Sequence, residues 1–218
     1  MVASEEGLVR YELIPSSDLA RLEWLRPELD QILLDAGRRQ GARTSNLALG
    51  IGRAAELVIV AALDAVGLCP IHVSELSDRF GYDVEAASGG IRRWEVKGST
   101  RRTSGTFHLS RNEFEKCRVY GAEWGLVQVE FEDSALTATT LKACDIGRIR
   151  ELSWSRLISL ADTDTETFVW EESARISPGA MEWSPSSLKI PADLQLPSLG
   201  ALGTEAAEAR RLLRSHAN

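Results

Sequence analysis

Cysteine is scarce in this chain. Cys69, Cys117 and Cys144 are its three, far apart and with no CxxC among them, which excludes a disulfide framework. Cys69 and His72 have a ligand-like gap, but no second Cys/His pair follows to close a tetrahedral zinc site, so both are expected to be ordinary residues. Long apolar runs are missing too. None approaches the roughly 20 residues needed to span a bilayer, so no membrane partner is expected. The opening MVASEEGLVR lacks the basic start and apolar stretch of a secretory signal, and the expected address is cytoplasmic. A basic excess is absent as well: the net charge of −7 argues against a general polyanion binder.

What is present is an ordinary globular composition, 44% hydrophobic and 26% charged. At 218 residues the chain suits one domain with embellishments, or one domain plus a small appendage. Its charge is unevenly spread. Residues 91–118 hold eight Lys or Arg against three Glu, a local +5 that leaves −12 for the rest of a chain totalling −7. A basic island on an acidic chain suits phosphates, and equally a solvated charged face.

Along the chain, GLVRYELIP reads as a strand, and SSDLARLEWL and PELDQILLDAG as short helices. LALGIGRAAELVIVAALDAVG is the longest apolar helix, interrupted between Ala54 and Leu63 only by Glu56. GYDVEAAS and IRRWEVKGS read as strands joined at Gly89-Gly90, and GTFHLS as a third. Ser110 with Glu113 forms a capping-box signature for the helix RNEFEKCRVYG. EWGLVQVEFED reads as a fourth strand and ALTATTLKA as a fifth. DIGRIRELSW is expected to be helical, ETFVWEE a strand, and the proline-rich stretch after it extended loop. TEAAEARRLLRSHAN is expected as a terminal helix or tail, and Trp154, Trp170 and Trp183 as core. The element order predicts a mixed sheet flanked by helices.

Period-two alternation puts Glu95 and Lys97 on one face of their strand and Val96 on the other. Glu56 lies mid-helix among apolar residues, and Asp83 on the preceding strand. Carboxylates converging there would repel one another unless a cation held them, and Mg²⁺ takes such oxygen ligands. A lysine beside them could hold a water or neutralise charge on a phosphate. The plain alternatives are an i,i+3 pair of Arg53 with Glu56, a turn at Asp83, and a surface pair of Glu95 with Lys97.

The order Glu on a helix, Asp on a strand and Glu-x-Lys on the next resembles the PD-(D/E)xK nuclease superfamily. More narrowly, GYDVEAASGGIRRWEVKGS followed by FHLSRNEFEKCRVYG is similar to the domain at the C-terminus of the plant protein NO VEIN and in many bacterial defence proteins. The similarity covers roughly residues 47–132, with Tyr82 where the superfamily's proline would stand. It implies an α/β (α+β) restriction-endonuclease-like core at 47–145, an N-terminal embellishment at 1–46 and a C-terminal extension at 146–218 for recognition or dimerisation. It further implies that Asp83, Glu95, the Val96 carbonyl and Glu56 bind Mg²⁺ or Mn²⁺, and that Lys97 positions or activates the attacking water. Arg92, Arg93, Arg101, Arg102, Arg111 and Asn112 would meet the DNA backbone. The expected activity is metal-dependent endonucleolytic cleavage of double-stranded DNA in restriction or anti-phage defence, by a homodimer or with other defence subunits. The alternatives are a nucleic-acid-binding module of the same fold that cuts poorly or not at all, as a subunit of a defence complex, and an interaction domain with solvated charges.

Overall fold

The longest helix among the described residues is α1 (Asn46–Asp64). In this computed structural model, which describes residues 2–4, 7–9, 46–76, 80–87, 89–162 and 172–215, Ala54, Ala55, Val58, Ile59, Ala62 and Leu63 are fully buried. At nineteen residues with a mean hydropathy of 1.6, α1 is long and apolar enough to cross a membrane, contrary to the expectation that no run comes close. Its buried residues pack against the sheet, and 39% of its most apolar window is buried. The helices expected within 16–37 lie outside the described residues, as does the strand at ETFVWEE but for Glu172.

The chain forms two compact units, Met1–Ser45 and Asn46–Asn218. In the first, β1 (Val2–Ser4) and β2 (Gly7–Val9) pair antiparallel. In the second, α1 is followed by β3 (Ile71–His72), β4 (Val84–Ala87), β5 (Ile91–Thr100), β6 (Phe107–Ser110) and α2 (Arg111–Tyr120). Next come β7 (Trp124–Phe131), β8 (Thr140–Lys142), β9 (Ile146–Ser153) and α3 (Trp154–Ala161). The last elements are β10 (Ser173–Ile176), β11 (Ser184–Pro185), β12 (Gln195–Pro197) and α4 (Leu199–Ser215).

The protein is a mixed α+β fold. Six strands form the central sheet in the order β11-β9-β7-β5-β4-β3, with β5 and β7 parallel and the other neighbours antiparallel. Two ribbons flank it, β6 with β10 and β8 with β12. β9 corrects the helix expected at DIGRIRELSW. Together with β11 it carries the central sheet past residue 145, into the stretch expected to be an extension.

Alternation along the strands sorts the core into two layers. Val84, Trp94, Val96, Val127, Val129 and Phe131 pack with α1 and with Leu199 and Leu202 of α4. Trp124, Leu126 and Leu152 pack on the other face with Phe114 and Cys117 of α2, Leu157 and Ala161 of α3, and the β6–β10 ribbon. All eight residues of β7 are buried, as expected of a strand covered on both faces. Trp183 packs against the second layer, 6.0 Å from Phe107, whereas Trp154 at the first position of α3 is exposed, because that helix buries only Leu157 and Ala161. The cysteines are free. Cys69 and Cys144 are exposed, and burial pushes the Cys117 thiol up to about 12.

Candidate active site

The site begins where a strand ladder stops. β4 pairs with β5 only from Ala87↔Ile91 to Val84↔Trp94, and Asp83 N–H donates to Trp94 O at 2.9 Å. Beyond Trp94 no strand among the described residues pairs with that edge of β5. The Val96 N–H, which points the same way as Trp94's by strand geometry, donates to Asp83 Oδ2 at 2.7 Å. The Val96 carbonyl faces the same open edge. Asp83 is delivered there by a tight entry. Gly81 has φ +70 and lies against Asn112 and Lys116 of α2, where a Cβ would collide, and its carbonyl accepts from Trp124 Nε1 at 3.2 Å. Tyr82 then packs against Tyr120 and donates to Glu85 Oε2 at 2.9 Å.

On β5, Trp94 and Val96 face α1, so Glu95 and Lys97 face α2. Lys97 Nζ lies 2.7 Å from Glu95 Oε1 and donates to Glu113 Oε2 at 3.0 Å. Glu113 also closes the cap of α2: its Oε2 accepts from Ser110 N at 3.0 Å, while Ser110 Oγ accepts from Glu113 N at 3.2 Å. One carboxylate thus caps a helix and anchors the lysine. Gly98 lies against the Ile51 backbone of α1, leaving no room for a Cβ, so the Glu-Val-Lys-Gly strand sits tight on that helix.

Glu56 reaches the site from α1. Its Oε2 accepts from Ser74 Oγ at 2.8 Å, from His72 Nε2 at 2.7 Å and from Arg53 Nη1 at 3.4 Å. The expected i,i+3 pair with Arg53 is therefore present, within a larger network. Glu56, Asp83, Glu95, Lys97 and Glu113 all line one cleft of about 1060 Å³. Asp83 and Glu95 open onto the same space.

The electrostatics follow from crowding. Burial, then the charge of Glu56, pushes Asp83 up to about 7 despite the Val96 N–H and Lys97. Burial and the neighbouring Asp83 hold Glu95 well above the usual carboxylate range. Burial disfavours the Lys97 ammonium, but Glu95 and Glu113 outweigh it and raise its pKa above the ordinary lysine value. These two carboxylates favour its ammonium form. Four carboxylates surround that one lysine, and carboxylate oxygens are the donor type that Mg²⁺ or Mn²⁺ takes. Among the described residues no three acidic, His or Cys side chains stand together at metal-binding spacing. Asp83 turns an oxygen to the Val96 N–H, and Glu95 is held on Lys97.

The expected phosphate contacts are dispersed. Arg92 is exposed, 3.4 Å from Glu151 and stacked 5.4 Å from the Trp94 ring. Arg93 is held by Glu85 at 3.1 Å, Glu123 at 2.7 Å and the Tyr120 ring at 4.1 Å. Neither lines the cleft, because both precede the point where β4 ends. Arg101 and Arg102 are exposed on the turn after β5, with Arg101 3.4 Å from Glu132. Arg111 opens α2 and pairs with Glu115, and Asn112 beside it lines the cleft. Sequence reading missed His72 and Ser74 on Glu56, and His108 and Arg175 in the lining. The gap of Cys69 and His72 drew attention to zinc, whereas the partner of His72 comes from α1. Glu113 was legible as the capping partner of Ser110.

The fold and site together define a mixed α+β domain with an acid-and-lysine cleft at the break in its β4–β5 ladder. Residues 54–140 match the family model described as Protein NO VEIN, C-terminal, so this part of the chain is similar to a domain of that type. The match is compatible with a nuclease-like domain. No curated protein and no solved structure matches the chain.

Proposed function

We propose that this domain is a metal-dependent nuclease of the PD-(D/E)xK superfamily, hydrolysing phosphodiester bonds of double-stranded DNA in restriction or another anti-phage system. The observation that carries the reading is the convergence of Asp83 and Glu95 in one cleft with Lys97 2.7 Å from Glu95. Asp83, Glu95 and the Val96 carbonyl would hold Mg²⁺ or Mn²⁺, with Glu56 completing the acidic set directly or through water. When bound, the ion supplies a Lewis acid for the phosphoryl oxygen and a more acidic water. The crowding that raises the proton affinity of Asp83 and Glu95 is the same electrostatic pressure that favours a cation.

Lys97 enters this chemistry as an ammonium. Its carboxylate neighbours oppose deprotonation, so it orients the attacking water and offsets charge building on the phosphate, and it does not act as a base. Cutting both strands of a duplex takes two sites, which a homodimer provides.

The test incubates the purified protein with plasmid and phage DNA, modified and unmodified, with Mg²⁺, Mn²⁺ or EDTA. Cleavage abolished by EDTA is expected, and Lys97→Ala should lower it at least about a hundredfold while DNA binding persists. Intact DNA under every condition would sink the reading. One feature favours a module that binds without cutting: Lys97 and an Asp83 oxygen are both already engaged by the protein. Such a module shows DNA binding with no products.

A further inference from the structure

The family match ends at residue 140, yet the cleft wall does not. Arg175, on β10, lines the same space as Asp83, Glu95 and Lys97. β10 reaches it by pairing with β6, where Arg175 stands directly opposite His108, another lining residue. Side chains opposite each other in an antiparallel ribbon leave it on one face. Here that face is the solvent side: Phe107, Leu109 and Ile176 are buried behind it, whereas His108 and Arg175 are exposed. The ribbon runs straight into the catalytic wall, with Arg111 N–H donating to Glu172 O at 2.9 Å at the start of α2.

The two cations of the lining differ. Lys97 is bonded to Glu95 and Glu113. The Arg175 side chain makes no ion pair among the described residues, although four carboxylates share its cleft. A guanidinium offers a planar fork suited to phosphate oxygens, and an imidazole N–H beside it adds a donor. Resting on the nuclease reading above, we propose that Arg175, with His108 across the ribbon, is the contact to the substrate's phosphate backbone. The segment beyond the family-matched residues therefore supplies part of the substrate-binding wall. It would share the role that the family resemblance implied for Arg92, Arg93, Arg101, Arg102, Arg111 and Asn112, of which Asn112 lines the cleft.

The test measures binding of the full chain to a labelled DNA duplex across a salt series, with Ca²⁺ replacing Mg²⁺. The variants are Arg175→Ala, Arg175→Lys and His108→Ala, with Arg156→Ala as the control. Arg156 is exposed outside the lining and paired with Glu182. Arg175→Ala is expected to bind about tenfold more weakly and to reduce the slope of log affinity against log salt by about one. Arg175→Lys should keep the slope and lose part of the affinity, which separates loss of a phosphate contact from misfolding. His108→Ala should weaken binding with the slope unchanged, and Arg156→Ala should match wild type. Wild-type affinity and slope in Arg175→Ala would overturn this inference alone. A wild-type protein that binds no DNA would overturn the nuclease reading and this inference with it.

Discussion

At the scale of single residues, Glu113 and Asp83 each carry two duties that substitution can separate. Glu113 satisfies the N-terminus of α2 and holds Lys97 with the same oxygen. A glutamine at this position still reaches the Ser110 N–H, so Glu113→Gln should leave thermal stability near wild type. It removes one of the two charges on Lys97, and cleavage should fall about tenfold, the scale of one hydrogen bond to a charged group. Glu113→Ala should lose a further ~1 kcal/mol of stability with the cap. Equal cleavage by Glu113→Gln and wild type would reduce Glu113 to a cap. For Asp83 the sign follows from its direction of shift. The ordinary value is 3.8 and the folded protein raises it to about 7, so the folded state holds the proton more tightly than the unfolded chain. That stabilisation is complete below about pH 4 and is lost as pH rises through about 7. Cation-free wild type should therefore melt lower at pH 8 than at pH 5. Asp83→Asn, which keeps an oxygen for the Val96 N–H, should flatten this dependence and gain on the order of 2 kcal/mol over wild type at pH 8. Added Mg²⁺ should stabilise wild type at pH 8 more than the variant. Pair by pair, the carboxylates and the lysine were legible in the sequence because strand alternation is local. The partners His72, Ser74 and Arg175 were not, since each depends on a packing of distant segments.

Among the elements, the ones read correctly are those whose signal is contained within them: the alternation of β5, the apolar run of β7, the capping box of α2 and the Gly89-Gly90 turn. β9 misled because Ile146, Ile149 and Leu152 recur every three residues, as along a helix face. In the fold Phe131 faces Ile146 and Glu130 faces Arg148, so Gly147 is skipped in a bulge. The bulge returns Ile149 to the side of Ile146, in the layer under α1, and leaves Leu152 in the opposite layer. An irregularity in pairing imitated a helical period. The same dependence on neighbours governs β5 and α1. The close approach of Gly98 to Ile51 sets the height of the Glu-Val-Lys strand against the helix that carries Glu56. Gly98→Ala should force these elements apart and cost about 1–3 kcal/mol, read as a lower denaturation midpoint. Cleavage should drop with it, because Glu56 and Lys97 separate. An alanine variant with wild-type stability would show that the contact has slack.

For the whole molecule, the family-matched stretch and the folding unit are different things. Residues 54–140 contain Glu56, Asp83, Glu95, Lys97 and Glu113, and so the entire acid-and-lysine set. They lack β9, which completes the far edge of β7, and α4, whose Leu199 and Leu202 close the layer over α1. They also lack α3 and β10, which cover Leu109, Phe114 and Trp124. A fragment of residues 46–140 would expose the full hydrogen-bonding edge of a strand buried along its whole length, together with apolar surface on both faces. Such a fragment should be insoluble or lack cooperative unfolding, whereas residues 46–218 should melt in a single transition, measured by circular dichroism and calorimetry. A cooperative transition in the short fragment would show that the later segment decorates a self-sufficient core. Failure of the short fragment beside success of the long one means that the chemistry-bearing residues sit in a unit whose closure is supplied from outside their own stretch. This explains why the motif is legible locally while the fold that aligns it is not: Asp83, Glu95 and Lys97 lie within fifteen residues of each other, but the layers that press them together come from both ends of a 173-residue unit.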